Sequence, residues 1–158
     1  MKALNLTGRF LYLEVKSPNA GTPFSLHFDF GMADRAHNVR MSVSNLFKNF
    51  NTSNGFVIQL PLELETERWT TVCIDFVDVV KRSQLFPTSY KIDRSHSLKS
   101  INLCANIQVR GVFTSDNAYD YVTLPSDMRF KFGFDINRWE EFYSWINLPQ
   151  DLDTGVSR

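Results

Sequence analysis

Three histidines, two cysteines and several spaced carboxylates are the side chains of this 158-residue chain that could do chemistry. His27, His37 and His96 stand singly, with no His-x-His pair and no Cys-x-x-Cys spacing, so neither a metal cupin nor a zinc site is expected. Asp151 and Asp153 mimic part of a calcium loop, but the Gly and Glu positions that such a loop needs are missing. Glu63, Glu65 and Glu67 share one parity beside Pro61, as in a solvated strand edge rather than an acid–base pair. There is no Gly-rich phosphate loop and no nucleophile elbow. Cys73 and Cys104 both fall in strand-like runs, too few for a disulfide framework, and are expected to be reduced, buried and packed as small hydrophobes. They could face each other on neighbouring strands. Chemistry therefore implies no catalytic residue, no metal, no cofactor and no enzyme.

Binding is the remaining possibility, and the charge distribution points to a place for it. Net charge is zero, yet residues 76–110 carry six basic and two acidic side chains while residues 111–158 carry four basic and eight acidic. An acidic partner would dock on the middle segment. Lys81, Arg82, Lys91, Arg94 and Lys99 bracket the long loop QLFPTSYKIDRSH and are expected to share one exposed surface, with Lys48 and Arg110 as weaker additions. A solvated loop whose charges only aid solubility accounts for the same residues. The zero total argues against a nucleic-acid binder. Trp139 and Trp145 keep a second possibility open, a β-sandwich that stacks sugar rings on aromatic faces. Trp69 opens an apolar strand and reads as core.

The elements that must position these residues are mostly strands. Arg9–Lys16 alternates Leu11, Leu13 and Val15 against Phe10 and Tyr12, so both its faces should be covered. Phe24, Leu26, Phe28 and Phe30 oppose Ser25, His27 and Asp29, the pattern of a half-buried strand. Val39, Met41 and Val43 repeat it with Arg40 and Ser42 outward. Asn45–Phe50 is predicted as a one-turn helix held by Phe47 and Phe50. Phe56–Leu60 and Trp69–Ile74 are further strands. Asp75 to Arg82 reads as a short helix capped by Asp75, with Lys81 and Arg82 at its negative end. Strands resume from Leu98 to Thr114, with Val109 and Phe113 on one parity and Arg110, Val112 and Thr114 on the other. Asn137 and Glu140 suggest a capped helix through Trp139, Phe142, Tyr143 and Ile146, with an extended tail of aromatic plugs as the alternative.

Many short strands with frequent turns indicate a mainly β domain, an antiparallel jelly-roll-like sandwich with one or two short helices. Residues 1–134 form the sandwich and 135–158 an aromatic-rich tail. No apolar run is long enough to span a bilayer as a helix, the N-terminus lacks a signal peptide's hydrophobic stretch, and a cytosolic setting is expected.

GRFLYLEVK, NVRMSVSNLFKNF, RWTTVCIDFVDVV and SLKSINLCANIQVRGVFTSD, in this order, resemble the N-terminal domain of the WD-repeat protein 90 / proteome-of-centriole protein 16 family, a cilia- and flagella-associated protein 20-like domain. The similarity covers Leu6 to Phe132. It implies a fold like that of carbohydrate-binding modules but without sugar binding. It further implies a non-enzymatic structural role on tubulin, at the centriole, basal-body or ciliary microtubule wall. Other centriolar inner-scaffold or doublet inner-junction proteins are the further partners it implies, with no nucleic acid and no membrane. Family domains begin further upstream, so the chain is expected to be a fragment with an open sheet edge. The tail Trp139–Leu148 is expected to fold over that opening.

Overall fold

The alternation just described resolves into two stacked sheets. The computed structural model describes residues 3–17, 19, 21–53, 55–92, 96–130 and 135–153. In chain order the elements are β1 (Phe10–Lys16), β2 (Phe24–Gly31), β3 (Asn38–Ser44), β4 (Asn51–Ser53), β5 (Val57–Pro61), β6 (Thr70–Asp75) and α1 (Phe76–Ser83). They continue with β7 (Ser97–Ala105), β8 (Gln108–Ser115), α2 (Trp139–Phe142) and β9 (Ser144–Leu148). The first sheet runs β8-β1-β6-β9 and the second β4-β5-β3-β2-β7. This is the expected β-sandwich. Its sheets are mixed rather than wholly antiparallel, because β3 pairs with β5 and β6 with β9 in parallel.

The core lies between the sheets. Leu11, Leu13 and Val15 of β1 and Val72 and Ile74 of β6 meet Phe24, Leu26, Phe28, Val39, Met41 and Ile58. A second apolar layer covers the outer face of the first sheet. Tyr12, Cys73 and Leu124 form its centre, with Phe10, Phe113, Tyr119, Met128 and Trp145 around them. Tyr12 stacks on Phe113 at 5.0 Å, donates to the Asn117 carbonyl (2.7 Å) and accepts from the Tyr119 amide (2.8 Å). Its phenol is pushed well above the ordinary range, chiefly by burial.

Several local expectations change. Arg110 is an extra residue between Val109, opposite Val15, and Gly111, opposite Glu14. This bulge resets the alternation, so Val109 and Val112 both reach the inter-sheet core while Phe113 faces outward against Tyr12. Asn45–Phe50 forms turns instead of a helix. Asn45 accepts from the Phe24 amide and donates to the Thr22 carbonyl, and the Ser44 hydroxyl accepts from the Leu46 amide, so side chains satisfy the backbone there. Ser42 lies on the outer face as expected, yet it is buried there under His27, at 2.7 Å from its Nδ1. Cys73 is buried in the first sheet but Cys104 is exposed in the second, so the two thiols do not face each other.

The C-terminal helix shrinks to the single turn α2, after which β9 pairs with β6 and buries Ile146 and Leu148. A period-two strand wins because β6 offers an edge and Ile146 and Leu148 alternate into the core. The tail thus completes the first sheet. It does not lie over the N-terminal segment, which runs beside β7 of the second sheet at Leu4 and Leu6.

Candidate basic interface around α1

The helix α1 is built to hold its charges outward. Asp75 caps it by accepting from the Asp78 amide (3.2 Å), and both Asp75 oxygens take bonds from Arg9 at 2.9 Å. Phe76, Val77, Val79 and Val80 are buried, with Phe76 stacked on Phe30 at 3.8 Å. Lys81 and Arg82 are left exposed in the last turn, where the dipole favours cations. Gln84 then leaves the helix in the left-handed region at φ 55°.

The seven candidate cations separate into different environments. Lys48 and Arg82 line one hollow with Phe50, Pro61, Leu152 and Asp153. Arg82 is occupied there: Asp153 receives two bonds from it at 2.7 and 2.6 Å, and Asp78 lies at 3.4 Å. Those bonds hold the Asp153 carboxyl below its ordinary value. Lys81 lines a neighbouring hollow with Arg9, Ile92 and His96, and Lys91 is exposed immediately before Ile92.

Lys99 and Arg110 lie elsewhere, and both are bulge residues, the arrangement that re-aims a side chain. Lys99 crosses Gly31, where an added Cβ would come within 2.8 Å of the lysine Cε, and its Nζ donates to Asn5 Oδ1 at 2.6 Å. Arg110 sits on the outer face of the first sheet. It pairs with Glu14 at 2.6 Å, donates to the Arg129 carbonyl and lies over the Phe130 ring. Arg94 falls outside the described residues.

A contrast between the two basic residue types follows. Arg9, Arg40, Arg68, Arg82, Arg110 and Arg138 are in ion pairs. Lys48, Lys81 and Lys91 are exposed and form no ion pair with a described residue. The arginines pin the fold and these lysines remain open to a partner.

Other polar groups were not visible as a site in the sequence. Glu14 is only 2% exposed, and burial raises its carboxyl pKa while Arg110 opposes the shift. The signal was a lone carboxylate on the parity of Phe10 and Tyr12. Arg68 reaches Ser144 Oγ at 2.8 Å and the carbonyls of Glu140, Glu141 and Tyr143, closing the end of α2. Nothing in its sequence neighbourhood indicates this. Asp34 binds His37 Nδ1 (2.6 Å) and the Tyr90 hydroxyl (2.9 Å), which hold its carboxyl down to about 2. Among the described residues no three His, Cys, Asp or Glu side chains gather as metal ligands. Trp139 is 3% exposed and lies flat on Tyr121 at 4.7 Å, while the Trp145 indole donates to Asn147. Trp139 therefore offers no face to a sugar.

Fold and surface together define a β-sandwich with one open polar face, one covered face and a lysine-bearing rim at α1. Residues 1–132 match the model of the CFA20 domain, and the chain belongs to that family. It is 30% identical to mouse (Mus musculus) WD repeat-containing protein 90 over 178 residues, covering 95% of this chain and 9% of that protein. It is likewise 30% identical to Centriole proteome protein 16 of Chlamydomonas reinhardtii over 162 residues, 98% of this chain and 7% of that one. Human (Homo sapiens) WD repeat-containing protein 90 is 29% identical, with 95% and 9% covered. The chain spans less than a tenth of each of these three relatives.

Proposed function

We propose that this domain is a non-enzymatic structural module of the centriole, basal body or cilium that binds the microtubule wall. The observation that carries this reading is the similarity to Centriole proteome protein 16 across nearly the whole chain. The surface chemistry supports it. A microtubule presents an acidic surface, and Lys48, Lys81 and Lys91 are exposed cations not neutralised by a described neighbour. Such contacts steer association and weaken as salt rises. Lys99, which donates to Asn5 and lies elsewhere, is not counted with them. Arg82 contributes once Asp153 yields it, whereas Arg110 is committed to Glu14. A glycan-binding module is disfavoured by the burial of Trp139.

Co-pelleting with stabilised microtubules at low and high salt tests the reading. Binding at low salt that fades with added salt is expected. Each rim charge contributes about 1 kcal/mol or less, so reversing Lys48, Lys81 and Lys91 together to Glu should weaken binding roughly ten- to a hundredfold. The melting temperature should barely move. Absence of pelleting at low salt overturns the proposal, and binding that survives the triple reversal moves the contact surface elsewhere.

A further inference from the structure

Among the described residues the most exposed large apolar side chain is Leu46, at 63%. A single exposed leucine is ordinary, but this one has company. Leu46, Phe47 and Leu152 line one hollow of about 590 Å³, together with Leu62 and Leu148, which are buried. The first three belong to neither core cluster, so the packing of the sandwich does not account for them.

The tip that carries Leu46 is fixed by its own side chains. Ser44 Oγ donates to the Phe24 carbonyl at 2.6 Å and accepts from the Leu46 amide at 3.0 Å. Asn45 accepts from the Phe24 amide at 3.0 Å and donates to the Thr22 carbonyl at 2.9 Å. Four side-chain to backbone bonds thus tie the turn to the buried start of β2. A contact made on such a tip loses little conformational freedom, so an apolar side chain there can contribute fully to binding.

The charges around the hollow give it a direction. Lys48 also lines the hollow of Arg82, so the apolar lining is continuous with the basic rim. Asp151 is engaged by the Asn147 amide, and Glu63 is shared with the hollow that Arg68 lines.

We propose that residues 45–50 form the apolar anchor of the microtubule contact. The hollow walled by Leu46, Phe47 and Leu152 receives an apolar side chain that projects from the acidic partner surface, while Lys48 meets a carboxylate beside it. This rests on the microtubule reading above and adds to it a component that salt does not screen. Charge contacts weaken as ionic strength rises, whereas burial of apolar area does not.

The test is co-pelleting with stabilised microtubules across a salt series. Leu46→Asn should lower affinity about five- to thirtyfold at every salt concentration, leaving the slope of log affinity against log salt unchanged. Lys48→Glu should instead change that slope. Leu46→Met should bind within about twofold of the unaltered chain, and Leu152→Asn, on another wall of the hollow, should repeat the loss in case Leu46→Asn disturbs the tip. Melting temperatures should stay level. An unaltered chain that pellets in a lysine-dependent way, with both Asn variants binding equally well, overturns the anchor and leaves the charge reading standing. A loss in Leu46→Asn that disappears at high salt overturns it too. Absence of pelleting at low salt overturns both.

Discussion

On β2 the polar side chains face water in a network of small contacts: His27 with Ser42, Arg40 with Asp29, Ser100 with Asp29. On β1 the corresponding positions are Phe10, Tyr12 and Glu14, and the segment 116–130 folds over them through Tyr119, Leu124 and Met128. Both sheets contribute to the same core, but only the first is sandwiched on both sides. Polar groups on the open face are exchangeable, because water replaces any lost partner. The same groups under the cover have no such substitute, so each must be paired where it stands. Glu14 with Arg110 and the Tyr12 hydroxyl meet that requirement. Thr71 Oγ1, opposite Glu14 in register, is a buried hydroxyl without a partner among the described residues.

Substitution should expose the asymmetry most strongly at Tyr12. Tyr12→Ala removes a fully buried ring and two hydrogen bonds and is expected to cost about 3–5 kcal/mol in chemical denaturation. Arg110→Ala comes next, at roughly 3 kcal/mol, because it leaves the Glu14 carboxylate buried and unpaired. Arg40→Ala, which breaks a pair on the open face, should cost no more than about 1 kcal/mol. Acid should narrow the gap. In Arg110→Ala the folded pKa of Glu14 lies still further above its unfolded value. The folded state then holds the proton more tightly, and stability falls as pH rises through that raised pKa. Equal losses for the two arginine variants at neutral pH would erase the contrast.

Arg68→Ala should cost roughly 1–2 kcal/mol, seen as faster hydrogen exchange confined to residues 139–148. The thiols test the comparison without a substitution. Cys104 should react fast with a disulfide reagent at mildly alkaline pH, while Cys73 should react only at the rate of opening. Burial raises the Cys73 thiol to about 11, so its contribution to stability is complete below the unfolded value near 9 and is lost as pH climbs toward 11. Similar labelling rates would mean the cover over the first sheet is loose. Smallest of all, His27→Ala on the open face should shift stability by about 0.5 kcal/mol or less.

Much of this asymmetry was legible in the residues themselves. A clean split at Phe24–Phe30 announces a half-buried strand, and apolar side chains on both parities at Phe10–Val15 announce a doubly covered one. The Asp75 cap and the cationic end of α1 were legible because capping is local. What stayed hidden depends on chain-distant partners. The bulge at Arg110 is set by pairing with β1, and β9 by the free side of β6. Arg82 reads as an available cation until Asp153 is seen beside it, and Lys99 and Arg110 read as neighbours of α1 until the bulges turn them away. The lysines of the rim were visible as charges, but which of them lack an acid is a fact of three dimensions.

The register of the first sheet also fixes a timetable. Phe10 stands opposite Asp75 on one side and Ser115 on the other, and β9 joins beside β6 only at Ser144–Leu148. During synthesis β1 leaves the ribosome with apolar side chains on both faces, and its outer face waits for β8 and the segment 116–130 to be translated before it is covered. β2 and β3, adjacent in sequence, can pair meanwhile. Such non-local pairing belongs with slow folding, milliseconds to seconds, and leaves the nascent Phe10–Val15 stretch as the segment most in need of a chaperone.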